Sequence, residues 1–125
     1  MTQMTLYHEV FKKLYEGLRT ENHDKFFNTE DKKEYEVNNL YPDIILTKKG
    51  SSEVSFIIEI LQPLQGQIDY VISHIKPMSN IGGVFYLLVP KNEKNHIEKI
   101  CRENDIHPRF GIYYKSGNEL KIMFE

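Results

Sequence analysis

Two long apolar runs joined by one helical segment constrain the fold of this chain most. The runs EVSFIIEIL (53–61) and GGVFYLLVP (82–90) are rich in β-branched and aromatic residues, which is typical of strands covered on both faces. Between them, PLQGQIDYVISHIKP (63–77) places apolar residues at helical intervals, and Pro77 is predicted to end the helix. Strands joined through a helix are expected to be parallel, with a right-handed crossover.

The rest of the chain adds further elements to this unit. Spacing and turn residues predict a first helix at about 5–18, short strands near 35–37 and 43–47, a third helix in 92–104 with Asn92 as its N-cap, and a hairpin around SGN at 116–118. The polar stretch 19–36 is predicted to be a long connection. We therefore expect residues 1–125 to form one α/β domain, a mixed β-sheet flanked by helices on both faces.

Composition argues against several classes of function. The 125 residues include 16 Lys and Arg and 18 Asp and Glu, a net charge of −2, so nucleic-acid binding through bulk positive charge is not indicated. The single cysteine, Cys101, cannot form an internal disulfide, which favours a reducing, cytoplasmic location. No apolar run approaches the roughly 20 residues that span a bilayer. We therefore expect no membrane partner.

Two acidic residues do not fit an ordinary pair of buried strands. Asp43 follows Pro42 at the start of one predicted strand, and Glu59 lies inside the apolar run of the next. If these strands pair as a hairpin, the two carboxyl groups come close together and, partly out of water, resist ionising. A divalent cation relieves this, because Mg²⁺ prefers oxygen ligands and commonly uses one or two carboxylates plus waters and a phosphate. The pattern favours a metal site that acts on a phosphoryl group.

The residues PD at 42–43 and EIL at 59–61 resemble the PD-(D/E)xK motif of the restriction-endonuclease-like superfamily. The core of that superfamily runs helix, three strands, helix, strand (αβββαβ), which is the order predicted here for residues 5–90. This chain would add a helix and a C-terminal β-hairpin to that core. The resemblance implies a metal-dependent nuclease that acts on the phosphodiester bonds of DNA, with Mg²⁺ as its cofactor and Mn²⁺ as the alternative.

The resemblance also implies roles for particular residues. Asp43 and Glu59 would bind the metal, with help from the backbone carbonyl of Ile60. An acid on the first helix joins them in some members of the superfamily, and Glu9 is the best match in this chain.

This chain departs from the motif at the lysine. The lysine would fall at position 61, where the chain has Leu61, and leucine can neither orient the attacking water nor stabilise charge. On the helix that follows, Gln65 or Gln67 could position a water or phosphate, and Lys76 could supply charge from the far end. The expected nuclease activity is therefore an impaired one.

Plainer interpretations stay open beside this one. Asp43 could close a turn, Glu9 could lie on a solvated helix face, and Leu61 could fill core space. The chain would then be a catalytically inactive nuclease-fold module that binds nucleic acid or a protein partner, with a homodimer among the expected assemblies. A small-ligand or regulatory α/β domain is a third alternative.

Overall fold

The computed structural model of the protein describes residues 5–18, 21–29, 32–63 and 67–125. These residues form a mixed α/β fold around one sheet of six strands, which lie side by side in chain order. The strands are β1 (His23–Phe27), β2 (Ile44–Lys48), β3 (Val54–Ile60), β4 (Val84–Pro90), β5 (Arg109–Ser116) and β6 (Glu119–Phe124).

The strand directions divide the sheet into three parts. β1 pairs with β2 and β2 with β3 in antiparallel fashion, β3, β4 and β5 are parallel, and β5 and β6 form an antiparallel hairpin. The predicted parallel pairing of the two apolar runs is confirmed, with Ile58 opposite Tyr86. The predicted C-terminal hairpin is also confirmed, and Gly117 provides the positive φ of 63° in its turn.

The described residues contain three longer helices, α1 (Leu6–Gly17), α2 (68–79) and α3 (Lys94–Glu103). The hydroxyl of Thr5 caps α1 by accepting a hydrogen bond from the amide of His8. None of the helices formed by the described residues is long and apolar enough to cross a membrane.

The helices bury both faces of the sheet, as predicted, and each face has its own apolar core. On one face, α1 packs on the sheet through Val10 and Leu14, next to buried side chains that include Ile44, Ile58 and Leu88. On the other face, α2 and α3 cover the sheet with residues that include Val71, Ile75, Ile97 and Cys101, next to Ile57, Leu61 and Leu87. Full burial of each such side chain contributes about 1.5–3 kcal/mol to stability, so the two cores hold the strands in register.

The stretch 19–36, which the sequence predicts to be a connection, contains β1. Phe27 of this strand lies opposite Ile44 of β2 and is buried against α1. Pairing with β2 thus determines the conformation of a segment whose polar residues favour a loop, since strand preference depends strongly on tertiary context.

The strand predicted near 35–37 is not formed. An isolated β-bridge between Val37 and Leu40 takes its place. Asn38 and Asn39 turn the chain between them with positive φ angles of 52° and 65°, a conformation that asparagine tolerates better than most residues.

The prediction that Pro77 ends the second helix is wrong. α2 consists of an α-helical piece at Ile68–Tyr70, a π-helical turn at Val71–Ile75 and a second α-helical piece at Lys76–Ser79. The last α-helical piece begins at Lys76, directly after the π turn. Pro77 therefore lies in the first turn of this piece, where the missing N–H of proline is tolerated.

The predicted N-cap of α3 is also wrong. Asn92 lies in the middle of a 3₁₀ turn, Lys91–Glu93, and Glu93 occupies the N-cap position without a capping hydrogen bond from its side chain. The 3₁₀ turn continues directly into α3, so Asn92 has no free helix end to cap.

Candidate functional site

The β2–β3 hairpin brings Asp43 and Glu59 together. Ile44 of β2 lies opposite Ile58 of β3, so the next pair outward along this register is Asp43 and Glu59. The backbone amide of Asp43 donates to Oε1 of Glu59 at 2.8 Å. The predicted proximity of the two acids is therefore confirmed, and it follows from the alternation of side chains along two paired strands.

Further hydrogen bonds hold the Asp43 carboxyl group at this position. The backbone amide of Ile60 donates to its Oδ2 atom at 2.7 Å, and the hydroxyl of Tyr7 donates to its Oδ1 atom. The Asp43 and Glu59 side chains also interact directly, and this interaction lowers the pKa of Asp43 and raises that of Glu59. One acid pair thus joins β2, β3 and α1.

Burial makes this pair hard to ionise. Glu59 is 7% exposed and Asp43 is 9% exposed. Burial, and then the charge of Asp43, hold the pKa of Glu59 well above its ordinary value. Burial also raises the pKa of Asp43, although its hydrogen bonds with Glu59, Tyr7 and Ile60 oppose the rise. Two neighbouring buried carboxyl groups resist carrying two negative charges at once, and a bound cation would relieve that repulsion.

A cavity of about 150 Å³ opens onto the acid pair. Its lining is mostly polar and comes from α1, from the connection between β1 and β2, from β3 and the segment after it, and from α2. The described lining residues are Tyr7, Asn28, Lys33, Tyr41, Asp43, Glu59, Ile60, Gln62 and Tyr70. Burial and the nearby charges of Glu59 and Asp43 raise the pKa of Tyr70 to about 12, so its hydroxyl keeps its proton at neutral pH.

The cavity contains a lysine that the sequence analysis did not select. Lys33 lies in the loop between β1 and β2, and its positive charge lowers the pKa of both Asp43 and Glu59 against the dominant effect of burial. Charge patterning could not identify Lys33, because the loop also carries Lys32 and several acids.

A buried asparagine organises the loop that carries this lysine. The Asn28 amide group donates to the carbonyls of Tyr35 and Pro42 at 2.8 and 2.7 Å, and its oxygen accepts from the amides of Glu34 and Tyr35. The Asn28 backbone amide also donates to the carbonyl of Asp43 at 3.0 Å. Asn28 is 2% exposed and therefore ties the loop directly to the segment that enters β2.

Two of the other predicted site residues lie away from the acid pair, and a third lies outside the described residues. Glu9 forms an ion pair with Lys115 at 3.0 Å and does not line the cavity. Tyr7, two residues earlier on α1, reaches Asp43 instead. Lys76 is exposed near the far end of α2 and is not among the described lining residues. Gln65 lies outside the described residues, between 63 and 67. Gln62 lines the cavity.

Leu61 fills core space, as the plainer interpretation predicts. Its side chain is 1% exposed and packs in the apolar core that α2 and α3 cover. Its backbone is fixed as well, because its amide donates to Leu88 and its carbonyl accepts from the Tyr113 hydroxyl at 2.6 Å. The position of the motif lysine is thus part of the hydrophobic core.

The residue types at the cavity suit a hard divalent cation. The described residues include no group of three or more His, Cys, Asp and Glu placed to hold a metal, so a cation here would rely on Asp43 and Glu59. Two carboxylates with waters are a common set of ligands for Mg²⁺.

No protein-family model, curated protein or solved structure matches the chain. Its function has to follow from the cavity and from the residues that line it.

Proposed function

We propose that this protein is a nuclease of the PD-(D/E)xK superfamily that acts on DNA phosphodiester bonds with Mg²⁺ or Mn²⁺. The observation that carries the proposal is the buried pair of Asp43 and Glu59, which faces a polar cavity and contains hard oxygen ligands. A buried acid pair is costly when it only has to stabilise a fold, because apolar residues of similar size often do so better.

The order of elements supports the same proposal. α1, β1, β2, β3, α2 and β4 follow one another in the αβββαβ order of the superfamily core. Within that order, Asp43 precedes the second strand and Glu59 lies near the end of the third, which are the positions of the two motif acids.

In this proposal the residues around the cavity have separate tasks. Asp43 and Glu59 hold the cation, and Tyr7 and the Ile60 amide orient the Asp43 carboxylate by hydrogen bonds. The Ile60 backbone carbonyl is the third protein ligand that the resemblance implies. When bound, the metal ion would activate water and stabilise the charge that develops on the phosphoryl group.

A second candidate function is supported by Leu61. The Leu61 side chain lies in the core at the position of the motif lysine. The chain therefore lacks the group that positions the attacking water in active members of the superfamily. The hydrogen bonds from Tyr7 and from the backbone amides of Asp43 and Ile60 hold the acid pair in place without a metal. Both features suit a catalytically inactive module that binds nucleic acid or a protein partner.

The test measures cleavage of plasmid, single-stranded and branched DNA in Mg²⁺ and in Mn²⁺. Asp43→Asn and Glu59→Gln are nearly isosteric and retain hydrogen-bonding groups, and both are expected to abolish cleavage while the proteins stay folded by circular dichroism. Glu16→Gln is the matched control, because Glu16 lies on the exposed face of α1 and its ion pair with Lys12 is solvent-exposed at 4.0 Å.

Two results would contradict the nuclease. One is cleavage that persists in both acid variants, which would identify a contaminating enzyme or another site. The other is an inert wild-type protein whose melting temperature does not change with Mg²⁺ or Mn²⁺. DNA binding without cleavage would then support the inactive module.

A further inference from the structure

We infer that Lys33 takes the place of the missing motif lysine and that its ammonium group binds the phosphate of the substrate at the Asp43–Glu59 pair. The inference rests on the proposed nuclease function and deepens it, since it assigns the positive charge that Leu61 cannot supply. It is drawn from the position of Lys33 in the cavity, which is independent of the sequence motif.

Lys33 is the only lysine or arginine among the described residues that line the cavity. The ammonium group forms no ion pair with Asp43 or Glu59 within 4.0 Å, although its charge reaches both. The lysine and the acids therefore stand apart across the same space. A single water needs about 10–15 Å³, so a cavity of about 150 Å³ leaves room between them for several ligand atoms.

The protein holds Lys33 near this space from two sides. An isolated β-bridge links Lys33 to Asn28, whose side chain also fixes the two residues that follow the lysine. The Lys33 ammonium lies 5.7 Å from the centre of the Tyr41 ring, a favourable distance for a cation–π contact. Lys33 is exposed, and because Tyr41 also lines the cavity, this contact keeps the lysine at the edge of the cavity.

The chemistry of the proposed reaction needs such a charge. A phosphodiester under attack by water develops negative charge on its non-bridging oxygens. A lysine beside these oxygens therefore stabilises the transition state more than the ground state. The acids alone bring negative charge to the cavity and would repel the phosphate. The Lys33 ammonium group, opposite the acids, attracts the phosphate on the side that the metal ion does not reach.

The test compares Lys33→Met with Lys32→Met and Lys33→Arg. Lys32 is the matched control, because it is exposed in the same loop, as Lys33 is, but does not line the cavity. We expect Lys33→Met to lower the rate of DNA cleavage in Mn²⁺ by about 10²–10³-fold, the usual effect of losing one transition-state donor. Lys32→Met is expected to keep the wild-type rate, and Lys33→Arg to restore most of the lost rate.

A second readout measures binding of a single-stranded oligonucleotide in Ca²⁺ as a function of salt. Loss of one phosphate contact reduces the slope of log affinity against log salt by about 0.7 in Lys33→Met. The slope should be unchanged in Lys32→Met.

The outcomes separate the two proposals. If the wild-type protein cleaves DNA, Asp43→Asn does not, and Lys33→Met matches Lys32→Met in rate and slope, the assignment of Lys33 is overturned while the nuclease stands. If the wild-type protein cleaves nothing, the nuclease proposal fails and the role of Lys33 falls with it.

Discussion

The hydroxyl of Tyr7 donates a hydrogen bond to the Oδ1 atom of Asp43, so a helix on one face of the sheet holds an acid at the entrance to β2. Tyr70 approaches the same cavity from α2 on the other face. The acid pair is thus enclosed by side chains from both layers of helices, and its orientation depends on elements that lie far apart in the sequence.

Removing the Tyr7 hydroxyl should weaken metal binding. In Tyr7→Phe the ring keeps its contact with Phe11, at 5.9 Å between ring centres, but Asp43 loses a donor that favours its charged form. Loss of such a partner to a metal ligand typically lowers affinity by about 10–100-fold. Titration calorimetry with Mn²⁺ measures the change. Tyr15→Phe on the exposed side of α1 is the control, and equal affinity in the two variants would remove Tyr7 from the site.

The acid pair should make the protein less stable as pH rises. The pKa of Glu59 is raised in the folded state, so the unfolded chain loses this proton first, near the ordinary value of 4.5. The contribution of Glu59 to stability is complete below that pH and is lost as pH rises through the higher folded-state pKa. For one proton the slope is at most about 1.4 kcal/mol per pH unit.

Glu59→Gln tests this pH dependence. The amide can still accept from the Asp43 backbone and donate to the Asp43 carboxylate, and it has no proton to lose. We expect urea unfolding between pH 5 and pH 8 to show a flatter stability profile than in the wild-type protein, with greater stability at the alkaline end. Glu16→Gln should keep the wild-type profile. Parallel profiles for Glu59→Gln and the wild-type protein would mean that Glu59 does not cause the pH dependence.

Restoring the motif lysine should damage the fold rather than create activity. Leu61→Lys would place an ammonium group in the core, where an uncompensated charge costs about 3–5 kcal/mol. Leu61→Met, a change that conserves volume, is expected to cost less than about 1.5 kcal/mol. Thermal unfolding and the cleavage assay compare the two. A stable Leu61→Lys protein with faster cleavage would show that this side chain can reach the cavity after all.

Asn28→Ala should loosen the loop that carries Lys33. The substitution removes all the hydrogen bonds of a side chain that is 2% exposed, and each buried group left without a partner costs about 1–3 kcal/mol. We expect a loss of at least about 2 kcal/mol in the free energy of unfolding, together with weaker oligonucleotide binding. Asn22→Ala, in an exposed turn, should change stability by less than about 0.5 kcal/mol. Unchanged stability in Asn28→Ala would argue that water replaces the side chain.

The parts of the fold that local patterns determine could be predicted from the sequence. Continuous apolar runs predicted β3 and β4, and helical spacing predicted the three helices. The alternation of side chains in a hairpin also predicted the meeting of Asp43 and Glu59, because that relationship depends only on strand register.

The parts that depend on tertiary contacts could not be predicted. β1 begins with His23, Asp24 and Lys25, and only its pairing with β2 makes it a strand. The position of Lys33 depends on hydrogen bonds from Asn28, which lies five residues earlier and gives no sign of them in the sequence. Glu9 and Tyr7 are two residues apart on one helix, and which of them faces Asp43 depends on how α1 sits on the sheet.

The π-helical turn in α2 changes the angle between the side chains that lie before it and those that lie at its end. Tyr70, just before the turn, reaches the acids, while Ile75, at its end, is wholly buried in the core. Deleting one residue from 71–75 would give uniform winding, but it would rotate Tyr70 by about 100° relative to Ile75. One of the two side chains would then miss its target. The extra residue in the turn therefore sets the angle between Tyr70 and Ile75. With this angle, a single helix contributes one side chain to the cavity and another to the core, which regular winding would not allow.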